Sequence, residues 1–191
     1  MGAAWRMIAV VVLFAVALGA IIVQRVHLLT SGREIVLQVE PVDPRDFFRG
    51  DFVTLSYEGL TQIVVPAGNG WAEVKRGAPF YVALDVAPGG HAKPKSIHAT
   101  LEAARKASPL VIRGKISWTF TRQDEDKPRE TVLRAEYGIE SYFVPEGEGR
   151  VLETARNAQR LEMLIAVADD GEAAIKGIVL DGKRAYVETL F

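Results

Sequence analysis

From Met7 to Val23 the chain reads MIAVVVLFAVALGAIIV, 17 residues without a charge. A core helix of a small domain keeps one solvated face, and this run has none. At about 1.5 Å per residue a helix over it spans roughly 25 Å, the low end of what a ~30 Å hydrocarbon core requires. Trp5 and Arg6 extend it at headgroup level. The run therefore reads as a transmembrane anchor. The alternative is a cleaved secretory signal, with Arg6 as the positive end and Ala15-Val16-Ala17 as an A-x-A site. Cleavage there would leave the apolar stub Leu18 to Val23, and signal h-regions usually run only ~7–15 residues.

Lys and Arg do not settle orientation, because Arg6 precedes the run and Arg25 and Arg33 follow it. A very short head before a long domain is the arrangement of an uncleaved signal anchor with its N-terminus inside. The expected layout is a cytoplasmic head over 1–6, an anchor over 7–24, a juxtamembrane linker over 25–34 and an extracytoplasmic domain over 35–191. The expected location is the inner membrane of a bacterium, crossed once, with the domain in the periplasm or outside. Cysteine is absent, which excludes disulfides and thiolate metal sites.

The chain holds 23 Lys and Arg, of which Arg6 lies before the anchor, against 24 Asp and Glu. Nucleic-acid binding needs a basic face to displace phosphate counterions, and this balance argues against it. The densest charged stretch, Arg122 to Glu130, mixes both signs and reads as a solvated hairpin tip.

Period-two apolar patterns dominate from Glu34 onward. Ile35, Leu37 and Val39 share one face, as do Val53, Leu55 and Tyr57. Further runs cover 62–65, 80–86, 95–101, 110–120, 131–137, 139–144, 161–168, 172–180 and 183–190. Asp-Gly and Gly-Gly pairs between runs supply the backbone angles of tight turns, so the last 31 residues read as a three-stranded meander. Two helices are expected, a weaker one over 100–106 and one over 148–159 with Val151, Leu152 and Ala155 on one side. Trp71 follows a Gly-rich loop and reads as a docked aromatic. The fold class expected is a mainly β, antiparallel sandwich or barrel-like domain with one or two short helices.

The polar residues concentrate in Asp43-Pro-Arg45-Asp46-Phe-Phe-Arg49-Gly50-Asp51, between two strand patterns. Carboxylates and guanidiniums at these spacings can hold one another across a turn, which favours a structural corner over an active site. Downstream, Gly138 between two apolar runs marks a bulge or a close backbone approach, with Glu140 facing solvent or an arginine such as Arg134 or Arg150. The sharper alternative is a groove in which Tyr137, Glu140 and Tyr142 face the 43–51 turn.

Gly50-Asp51-Phe52-Val53-Thr54-Leu55-Ser56-Tyr57 resembles the signature of the bacterial GDYXXLXY protein family, with Phe52 where the pattern has Tyr. Asp43-Pro44-Arg45 upstream and the block from Tyr137 to Gly147 are similar to the family's other well-matched segments. The resemblance implies a membrane-anchored extracytoplasmic domain of uncharacterised function acting beside multi-pass membrane proteins, and it brings no catalytic residues. The candidate binding residues are Asp43, Arg45, Asp46, Arg49, Asp51, Tyr57, Tyr137, Glu140 and Tyr142. Partners expected are the lipid bilayer and a multi-pass membrane protein. No cofactor and no metal site is expected, His27, His91 and His98 being the only imidazoles. Two alternatives stand beside a binding or assembly role. One is an envelope hydrolase using carboxylates of the Asp43–Asp51 turn; the other is a purely structural stabiliser of a membrane complex.

Overall fold

The computed structural model describes residues 3–41, 52–66, 70–122, 129–143 and 149–187. Helix α1 (Ala3–Ser31) holds the apolar run, and its Trp5–Ser31 portion is long and apolar enough to cross a membrane. Its large side chains between Met7 and Val23 are exposed. The helix does not stop where the run stops. Residues 25–31, expected as linker, continue α1, and strand β1 (Arg33–Glu40) follows after Gly32 alone.

Packing explains this correction. Leu28 and Leu29 are buried against Ala166 and Ala174, so the last turn of α1 is part of the domain. Gly32 N–H donates to the Leu28 carbonyl at 2.9 Å. A Cβ at Gly32 would collide with that carbonyl oxygen and lie 3.1 Å from Ala166 Cβ. Only glycine lets the chain pass this close to its own helix.

Beyond β1 come β2 (Phe52–Thr54), β3 (Ser56–Tyr57), β4 (Gln62–Pro66), a 3-10 turn at Trp71–Glu73, β5 (Pro79–Val86) and β6 (Ala92–His98). Helix α2 (Leu101–Ala107) precedes β7 (Val111–Arg122), β8 (Glu130–Glu136) and β9 (Ser141–Phe143). Helix α3 (Gly149–Asn157) leads into β10 (Leu161–Val167), β11 (Ala173–Leu180) and β12 (Lys183–Val187). The fold is mainly antiparallel β: one sheet in the order β12-β11-β10-β1-β3, a second in the order β4-β8-β7-β5-β6, and a β2-β9 ribbon. The expected meander is β10-β11-β12.

The expected faces turn inward. Ile35, Leu37 and Val39 meet Met163 and Ile165 from their own sheet and Val82, Ile112 and Leu133 from the other in one buried cluster. The run over 95–101 was expected as a strand, but β6 ends at His98. Thr100 instead caps α2, its hydroxyl accepting from Ala103 N–H at 3.3 Å. Trp71 sits half-buried, edge-on to Phe80 with ring centroids 6.3 Å apart.

One irregularity redirects side chains outward. The β7–β8 register shifts between Ile116 and Trp118, so Trp118 lies opposite exposed Arg134 and Phe120 opposite Val132. The two rings stack at 4.7 Å on the outer face, where Val132 in turn neighbours exposed Val64 on β4. A bulge of this kind bends a strand and re-aims its side chains.

Candidate functional site

The run from Phe52 to Tyr57 is not one strand. Phe52, Val53 and Thr54 pair with β9, whereas Ser56 and Tyr57 pair with β1, and at Leu55 the N–H donates to the Glu140 carbonyl at 2.8 Å. The chain changes partner there because the 137–140 turn presents that carbonyl to it. Val53, Leu55 and Tyr57 all point into the core.

Two tyrosines fasten the corner reciprocally. Tyr57 Oη donates to the Ile139 carbonyl at 2.8 Å, and Tyr137 Oη donates to the Leu60 carbonyl at 3.1 Å. Each hydroxyl thus crosses from its own turn to the other. The 57–61 turn is closed by Leu60 and Thr61 N–H groups donating to the Tyr57 carbonyl, and by Tyr57 N–H donating to Thr61 Oγ1 at 2.8 Å. Glu140 closes the opposite turn: its carboxylate accepts from Tyr137 N–H and, at 3.0 Å, from Gly138 N–H. Gly138 has φ of 80°, an angle glycine adopts without strain. Glu140 therefore caps its own turn, and among the described residues no ion pair joins it to Arg134; the Arg150 side chain lies outside what the structure describes.

Burial raises the ionisation of both tyrosines well above the usual phenol range, and the nearby negative charge of Glu140 adds to the effect. Neutral phenols that each donate one hydrogen bond to a backbone carbonyl hold shape; neither is poised to transfer a proton. Tyr142 is also buried, opposite Val53 in the β2–β9 ribbon.

Of the nine residues selected from the sequence, Tyr57, Tyr137, Glu140 and Tyr142 come together at this corner. Asp43, Arg45, Asp46, Arg49 and Asp51 lie outside the described residues, and so do the hydrolase carboxylates and the groove those residues were to form with Glu140.

Arg156 was missed. It is 4% exposed, and its guanidinium donates to the Thr54 carbonyl at 2.9 Å and to Asn157 Oδ1 at 3.2 Å. The signal was available, since Arg156 follows Leu152 by four residues on the side of α3 that the apolar pattern marks as inward. Buried guanidinium so close to the signature ties α3 to the β2–β9 ribbon. Among the histidines, His91 meets Glu162 at 3.0 Å and His98 meets Ser96 at 2.8 Å. Among the described residues, no group of three or more His, Asp or Glu side chains is placed to hold a metal ion.

Comparison with protein families matches residues 14–178 to the GDYXXLXY protein model. No curated protein and no solved structure matches the chain.

Proposed function

The chain belongs to the GDYXXLXY protein family, and from that premise we propose that it is a membrane-anchored binding or assembly protein whose domain works outside the cytoplasm beside a multi-pass membrane partner. The observation that supports this best is the junction of helix and domain. Helix α1 runs into β1 through Gly32, and Leu28 and Leu29 are buried under the sheet. A domain joined in this way keeps a fixed height and orientation relative to its helix, which suits a protein that must present one surface to a neighbour in the same membrane.

The outer face of β4, β8 and β7 supplies such a surface. Trp118 is 55% exposed and Val64 is 52% exposed, and together with Phe120 they form an apolar patch of a kind that marks protein contacts more often than plain surface. The head lies in the cytoplasm and the anchor crosses the inner membrane once in this proposal.

The test uses full-length chain in its native membrane, with a photo-crosslinking residue at Leu13 or at Trp118. The expected outcome is a crosslink from both positions to the same multi-pass protein, weakened by Phe120→Glu. Adducts to lipid alone at Leu13, with none at Trp118, would refute a partnered role.

A further inference from the structure

Beside the start of β1, two residues after α1 ends, a cleft of about 460 Å³ is lined by Arg33, Arg105, Asp169, Pro109, Leu110 and Val167, among others. Its volume falls within the ~300–1,000 Å³ of small-molecule sites. Three distant segments build it. Arg33 opens β1 and pairs with Val167 at the end of β10. Arg105 comes from the last turn of α2 and donates to the Asp169 carbonyl, while Asp169 begins the turn between β10 and β11.

The charges in this cleft are only partly used. Among the described residues, Arg33 has no acceptor for its guanidinium and the Asp169 carboxylate has no donor. The adjacent Asp170 differs: it meets Arg113 at 3.1 Å and accepts from Glu172 N–H at 3.0 Å. Two guanidiniums and one open carboxylate, beside an apolar wall of Pro109, Leu110 and Val167, complement a ligand with a phosphate, an ammonium and an apolar stem. Guanidinium forks match phosphate oxygens, and a carboxylate matches an ammonium. A simple anion would leave Asp169 opposed.

Position indicates where such a ligand comes from. Ser31 stands about 12 Å along the helix axis beyond Val23, the end of the charge-free run. The headgroup layer extends roughly 5–8 Å past the hydrocarbon on each side, and an arginine stem reaches several ångströms back toward it. The packing of Leu28 and Leu29 on Ala166 and Ala174 ties the end of the helix to β10, whose last residue, Val167, lines the cleft.

We propose that this cleft binds the phosphoethanolamine headgroup of a membrane phospholipid, with the phosphate on Arg33 and Arg105 and the ammonium on Asp169. The inference rests on α1 being embedded in a bilayer, as proposed above. The test begins with full-length chain purified from membranes in detergent, stripped of lipid and offered phosphatidylethanolamine, phosphatidylglycerol or phosphatidylcholine, with bound lipid read by native mass spectrometry. Wild type should retain one phosphatidylethanolamine in preference to either competitor. Arg33→Gln should lower that retention about tenfold, the loss of one charge-assisted pair, at unchanged melting temperature because the Arg33 side chain makes no bond among the described residues. Asp169→Asn should abolish the preference over phosphatidylglycerol while leaving lipid bound.

Equal retention by wild type and Arg33→Gln would overturn the proposal. So would displacement of the lipid by millimolar inorganic phosphate, which would assign the cleft to a free anion. Extraction in alkaline carbonate separates the two levels. A chain that washes off membranes removes the anchor and the cleft together, whereas an embedded chain with indifferent Arg33→Gln removes the cleft alone.

Discussion

Replacing Tyr57 with Phe deletes one oxygen from a side chain that is 1% exposed and leaves the Ile139 carbonyl without the donor now 2.8 Å away. Ring packing is unchanged, so the effect isolates the hydrogen bond. Leaving a buried backbone acceptor unsatisfied costs about 1–3 kcal/mol. Taking about 2 kcal/mol, and roughly 2–4 °C per kcal/mol for a chain of this size, the melting temperature should fall by about 4–8 °C. Tyr137→Phe removes the reciprocal 3.1 Å bond to the Leu60 carbonyl and should act in the same direction. Because the two bonds join the same pair of turns, the double variant should lose less than the sum, with a coupling of about 0.5–1 kcal/mol. The pH profile gives an independent check. Burial raises the folded-state ionisation of Tyr57 above its unfolded value, so its contribution is complete below about pH 10 and is lost as pH rises beyond that. The gap between wild type and Tyr57→Phe should therefore narrow in the alkaline range. The assay is thermal unfolding of full-length protein in detergent across pH. A Tyr57→Phe melt within about 0.5 kcal/mol of wild type, combined with a lost membrane crosslink, would refute the structural role and return the signature tyrosine to the binding surface.

Truncation should expose the part played by the helix end: a chain starting at Val26 should be more stable to urea than one starting at Gly32 by about 2–4 kcal/mol, because only the longer one buries Leu28 and Leu29. Lys176 and Arg184, each 2.8 Å from Glu34, hold its carboxyl below the usual glutamate range. The stability this confers is complete above the ordinary glutamate value and is lost as pH falls through the lowered one. Glu34→Gln should thus be less stable than wild type at neutral pH and converge with it in acid unfolding curves. Thr131 buries a hydroxyl that has no hydrogen-bond partner among the described residues, so Thr131→Val should leave stability unchanged or raise it by up to about 1–2 kcal/mol, measured by chemical unfolding. Since the chain has no cysteine, single cysteines report topology directly. A membrane-impermeant maleimide should label Glu102→Cys on intact spheroplasts and Gly2→Cys only after lysis, and the opposite pattern would invert the proposed orientation.

Much of this protein follows from local sequence. The charge-free run forms a helix long and apolar enough to cross a membrane, with no polar face to offer a core or solvent. Alternating apolar residues fix which side of each strand turns inward, and the inward faces of Ile35, Leu37 and Val39, and of Val53, Leu55 and Tyr57, are those the alternation marks. Family resemblance singled out Tyr57, Tyr137 and Glu140, but not what they do. Tyr57 finds its acceptor 82 residues away and Arg156 finds Thr54 102 residues away, and no local pattern encodes a partner at that distance. Tertiary contacts decided the rest. The Glu140 carbonyl makes the strand change partner at Leu55, and Ala166 and Ala174 convert an expected linker into the last turn of α1. A one-residue register shift in β7 turns Trp118 and Phe120 outward. Arg33, Arg105 and Asp169 reach one cleft only because β1, α2 and β10 converge there. Periodicity measures which face a residue occupies relative to its neighbours in the chain, whereas hydrogen-bond partners and clefts depend on which strands lie side by side, a choice made by the whole core at once.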